Sequence, residues 1–128
     1  MALKGKNKKK SKNIIESFKY AFEGLFFGLK TIRNIRIHLF FAFLVVLGGI
    51  FFKISSFEWL ISLVFIALVI SLELVNTAIE ETVNLAMPNI HPVAKIAKDV
   101  AASAVLVSAI ISMIAGFIIF IPKIIGLF

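Results

Sequence analysis

Between Val100 and Ile121 the chain carries no charged residue, and two further long, predominantly apolar stretches precede it. A stretch of about 20 apolar residues matches the thickness of a bilayer's hydrocarbon core. Three such runs within 128 residues leave too little polar chain to enclose them in a soluble domain. Hydrophobic residues make up 60% of the sequence, so lipid must cover most of that surface. The constraint is decisive: an all-α integral membrane protein with spans at 35–52, 57–85 and 98–121. The short connections KISSFE and MPNIHPVAK require neighbouring spans to run antiparallel.

Ahead of the first span, Ile14, Phe18, Phe22, Leu25 and Leu29 recur at three- and four-residue steps, with Glu16, Lys19, Glu23 and Lys30 on other faces. This pattern predicts an amphipathic helix over 13–32 lying in the membrane interface. Asn13 with Glu16 resembles a capping box that starts it. Gly24 and Gly28 would let another helix come close. Residues 1–12 form a basic tail with almost nothing to bury, expected to be disordered and cytoplasmic. It does not read as a signal-peptide leader, because the amphipathic segment separates it from the first span. The remainder, 13–128, is expected to be a single domain.

The net charge of +7 invites a nucleic-acid reading, but its placement argues for topology instead. Only Lys53, Lys95, Lys98 and Lys123 of the 14 basic residues lie beyond Ile37. By the positive-inside rule the N-terminus and the second connection are cytoplasmic and the C-terminus lies outside. No nucleic-acid partner is expected. With no cysteine, disulfides and thiolate metal sites are excluded.

Chemistry concentrates in SLELVNTAIEETVN, residues 71–84. Glu73, Asn76, Thr77, Glu80 and Asn84 share one helix face. An ionised carboxylate inside the membrane costs at least ~2.5 kcal/mol, so Glu73 marks a site by default. An antiparallel hairpin should bring Lys98 and Asp99 level with Glu80, giving a polar cluster of Glu73, Asn76, Glu80, Lys98 and Asp99. Carboxylates and an amide suit Mg²⁺, a lysine suits phosphate, and a desolvated Glu73 suits general-base work. The residues alone thus predict Mg²⁺-assisted chemistry on a phosphate-bearing or lipid substrate. An ion pathway would also use intramembrane carboxylates, but would string them through the span rather than gather them at one end. No Walker-type or dinucleotide-binding glycine loop is present.

The segments ELVNTAIE (73–80), AKDVAASAVL (97–106) and KYAFEGL…RNIRIH (19–38) resemble the small prokaryotic integral-membrane diacylglycerol and undecaprenol kinases. The RN-x-R-x-H ending and the FIPKI tail look more like the undecaprenol kinase branch. The resemblance implies a homotrimer in the bacterial plasma membrane, with active sites shared between subunits and using ATP and Mg²⁺. Its substrate would be a lipid alcohol: undecaprenol, for recycling the lipid carrier of envelope synthesis, or alternatively diacylglycerol. It places Glu73 as catalytic base, Asn76 as a positioning residue beside it, and Glu80 as a metal ligand. Lys98 and Asp99 fall on nucleotide contacts, His91 near the base and ribose, and Tyr20 and Asn13 on weaker contacts. Two departures stand out. Ile32 occupies the place of the family's usual second metal-binding glutamate, and Asn84 that of an aspartate. Either Glu81 or Glu23 compensates, or ATP itself holds most of the Mg²⁺, or the chain is weakly active or non-catalytic.

Overall fold

The computed structural model describes residues 13–128, so the basic tail lies outside the described residues. Four helices follow one another: α1 (Ile14–Thr31), α2 (Arg33–Phe52), α3 (Ser56–Ala86) and α4 (Pro92–Ile125). Helices α2, α3 and α4 are each long and apolar enough to cross a membrane. At 1.5 Å per residue α3 is ~46 Å long, so it overreaches a ~30 Å hydrocarbon core by several turns.

Each boundary has a local cause. Asn13 Oδ1 accepts the Glu16 N–H at 2.9 Å, which starts α1. A single extended residue, Ile32, then separates α1 from α2. At the end of α2, Lys53 adopts a left-handed conformation (φ 50°, ψ 54°). Its N–H bonds to Ile50 O and that of Ile54 to Gly49 O, the paired pattern of a Schellman turn. Ser55 and Glu58 form a full capping box at the start of α3: Glu58 N–H donates to Ser55 Oγ, and Ser55 N–H to Glu58 Oε2.

The last helix differs most from expectation. It begins at Pro92, not at 98, and runs four residues past 121. A proline at the first helical position loses no hydrogen bond, so Pro92 opens α4 rather than interrupting it. Pro122 sits within the final turn, where the helix is already ending.

Helices α3 and α4 make the most extensive contact, α2 packs mainly on α3, and α1 is held chiefly by α2. Small residues recur at helical spacing along α4: Ser108 is buried and Ala101, Ser112 and Ala115 are half-buried, whereas Ala104 is exposed. Ser108 Oγ donates to Val105 O and Ser112 Oγ to Ser108 O, so these hydroxyls pack without seeking outside partners. Gly28 is buried where α1 meets Leu74 and Ile35, while Gly24 has no neighbouring atoms to approach. Only one of the two glycines therefore serves a close approach. Ile14, Phe18 and Phe22 of α1 remain exposed, while Leu25 and Leu29 turn partly inward. That division suits a helix lying along a membrane surface.

Candidate active site

Burial falls along the polar face of α3. Glu73 is 2% exposed, Asn76 and Thr77 are half-buried, and Glu80, Glu81 and Asn84 are exposed. The face thus runs from a carboxylate sealed among helices to carboxylates open at the helix end. Thr77 Oγ1 donates to Glu73 O, keeping that hydroxyl on its own helix.

The buried carboxylate faces α2. His38 Nε2 lies 3.3 Å from Glu73 Oε1, and no other ion-pair partner of Glu73 occurs among the described residues. An isolated carboxylate in such a place would be expensive, and the imidazole supplies a polar neighbour. His38 was not singled out from sequence. Its signal was a histidine three residues after Ile35, inside an otherwise apolar helix face.

A second group forms where α1 passes into α2. Thr31, Ile32, Arg33 and Asn34 line one side of a pocket of about 310 Å³, and Thr77, Glu80 and Glu81 line the other. Ile32 and Glu80 therefore share a cavity. Glu81 enters it as well, but Glu23 does not. Among the described residues, no three His, Cys, Asp or Glu side chains gather as a metal-binding group.

Lys98 and Asp99 do not line the pocket beside Glu80. Asp99 instead pairs with Lys95 one turn back on α4, a residue sequence reasoning passed over. Lys98 is half-buried. His91 caps α4, its Nδ1 accepting the Val93 N–H at 3.1 Å. Tyr20 on α1 and Asn13 at its cap are exposed and do not line the pocket beside Glu80.

Inside the membrane region α2, α3 and α4 enclose an apolar cavity of about 750 Å³, with His38 in its wall. Phe41 and Phe52 line it. Phe40, Phe43 and Phe51, equally aromatic in the sequence, stand exposed on the outside of α2.

The pattern of the prokaryotic diacylglycerol kinase family matches residues 19–120, which hold His38, Glu73, Glu80 and Lys98 alike. The chain belongs to that family. This makes it a membrane-embedded lipid kinase, with all the site residues named above except Asn13 inside the matched region. Over 108 residues it is 45% identical to the undecaprenol kinase of Bacillus subtilis, covering 84% of this chain and 88% of that protein. Over 116 residues it is 37% identical to the diacylglycerol kinase of Synechocystis, covering 90% of this chain and 66% of that one.

Proposed function

We propose that this lipid kinase transfers the γ-phosphoryl group of ATP to the primary hydroxyl of undecaprenol. The buried Glu73, held against His38 on a face that opens toward Glu80, is the observation that carries the reading. The 45% identity to the Bacillus subtilis protein supports undecaprenol as the lipid.

Phosphoryl transfer asks a protein mainly for positioning and charge stabilisation. A primary alcohol is a weak nucleophile, so a carboxylate able to take its proton contributes ~10²–10⁴-fold. Glu73 is that carboxylate. As the substrate oxygen bonds to the γ-phosphorus, its proton passes to Glu73, and the bond from that phosphorus to the bridging oxygen breaks, leaving ADP. Asn76, one turn along, has an amide suited to orient the lipid headgroup. Lys98 brings positive charge for the phosphates, with Asp99, His91, Tyr20 and Asn13 as further nucleotide contacts. Magnesium is normally held by one or two carboxylates together with substrate phosphates, and Glu80, with Glu81 beside it, fits that role. The ion would neutralise charge developing on the transferred group.

Lys98 and Asp99 do not line the Glu80 pocket of their own chain. A homotrimer in which a neighbouring copy supplies them completes the site. The positive-inside asymmetry puts this end, with the N-terminus, in the cytoplasm where ATP is available, and the C-terminus outside.

Diacylglycerol is the second reading, favoured by the Synechocystis relative. Reduced activity is the third, because Ile32 presents methyl groups to the pocket where a carboxylate would bind metal. Labelled ATP with Mg²⁺, offered undecaprenol and diacylglycerol in mixed micelles, separates the three. Label in undecaprenol, absent with Glu73→Gln in an intact oligomer, is the expected result. Substantial turnover by Glu73→Gln would sink the assignment of the base.

A further inference from the structure

We propose that His38 is the positioning residue for Glu73, holding the carboxylate toward the apolar cavity from which the lipid hydroxyl arrives. This inference rests on the lipid kinase reading above. Three observations carry it.

The first is the contact itself, 3.3 Å from Nε2 to Oε1, with the Glu73 side chain 3% exposed and that of His38 24% exposed. At that distance a hydrogen on Nε2 would face the carboxylate, which favours that imidazole tautomer. The second is the anchoring of α2 at this level. Ile35, one turn before His38, is completely buried, so the face carrying both residues is pressed against its neighbours. The third is the other side of the ring. His38 lines the 750 Å³ cavity, whose remaining wall is almost wholly hydrocarbon.

Ser62 and Ser112 also line that cavity, but their hydroxyls donate to Glu58 O and Ser108 O on their own helices. Among the described residues, His38 is thus the cavity-lining group that leads on to Glu73. A contact to Oε1 leaves Oε2 to receive the substrate proton. The same contact limits rotation of the carboxylate, and a misplacement of ~1 Å at a reacting group costs on the order of 10²-fold in rate.

The test compares His38→Leu and His38→Gln in the full chain, with lipid and ATP varied separately. His38→Leu should lower kcat ~10²-fold while leaving KM for ATP unchanged. His38→Gln keeps an N–H donor at similar reach and should recover about tenfold of that loss. Retention of the parent's kcat in His38→Leu, or equal losses in both variants, overturns the role.

A readout independent of turnover accompanies these. The ¹⁵N resonances of the His38 ring should move when Glu73 becomes Gln, and unmoved resonances overturn the pair. If the parent chain labels no lipid, the kinase reading falls and the positioning role falls with it. If the parent is active and His38→Leu matches it, only the role of His38 falls.

Discussion

Lys123 Nζ lies 3.2 Å from Glu58 Oε1, joining the last turn of α4 to the first turn of α3 at the end of the bundle remote from Glu73. The other oxygen of the same carboxylate, Oε2, closes the capping box on Ser55 N–H. Glu58 therefore ties its own helix start and a neighbouring helix end at once. Glu58→Ala should lower the thermal unfolding midpoint in detergent more than Lys123→Ala does. The lysine variant removes only a half-exposed ion pair, a kind of contact that contributes little. Equal shifts would mean that the cap contributes nothing.

Gly24 and Gly28 predict opposite outcomes from one substitution. A Cβ at Gly28 would come within 2.8 Å of Leu74 Cδ2 and 3.2 Å of Ile35 Cδ1, and Ile35 is fully buried. Overpacking of this kind costs roughly 1–3 kcal/mol. At Gly24 a Cβ meets nothing, so Ala gains helix propensity worth up to ~1 kcal/mol. Gly28→Ala should therefore destabilise the chain and Gly24→Ala stabilise it, read as unfolding midpoints. Gly28→Ala should also raise KM for substrate, because α1 carries Phe27 and Thr31 into the pocket beside Glu80.

The same two glycines show where sequence stops speaking. Both lie on an amphipathic helix at helical spacing, and only the neighbour's position decides which one matters. Span number and the interfacial helix were legible because lipid enforces hydrophobic length directly. Glu73 stood out because a carboxylate set within an apolar run is costly to bury, and the structure does bury it. His38 did not, since its meaning depends on which face of α2 meets α3, a tertiary fact. Pro92 falls in the connection MPNIHPVAK by sequence, yet it opens α4, with His91 capping the turn. Asp99 was assigned to Glu80's neighbourhood on hairpin geometry, yet its partner within the chain is the local Lys95, one turn away.

His91 has a structural task that can be separated from any nucleotide contact. Its Nδ1 satisfies the Val93 N–H, a cap worth ~1 kcal/mol, and asparagine caps equally well. His91→Asn should keep the parent's unfolding midpoint, and His91→Ala should lower it by a few degrees. If His91 also touches the nucleotide, both variants should raise KM for ATP to a similar extent. A KM that rises in Ala alone assigns the residue wholly to the cap.

Ile32 offers the sharpest test of the pocket. It is the one non-helical residue between α1 and α2, half-buried, and shares the 310 Å³ cavity with Glu80 and Glu81. Ile32→Glu would bring a third carboxylate into that space. Without a cation, like charges so close repel, and the neighbouring Arg33 offsets only part of that repulsion. With Mg²⁺ they become ligands. The variant should be less stable than the parent in chelator and recover on adding Mg²⁺, while the parent responds weakly. Its lipid phosphorylation should reach half-maximum at roughly tenfold lower Mg²⁺, a change of ~1.4 kcal/mol in metal affinity. Unchanged Mg²⁺ dependence in a stable, active variant would mean that position 32 does not face the metal. The phosphates and Glu80 would then suffice to hold it.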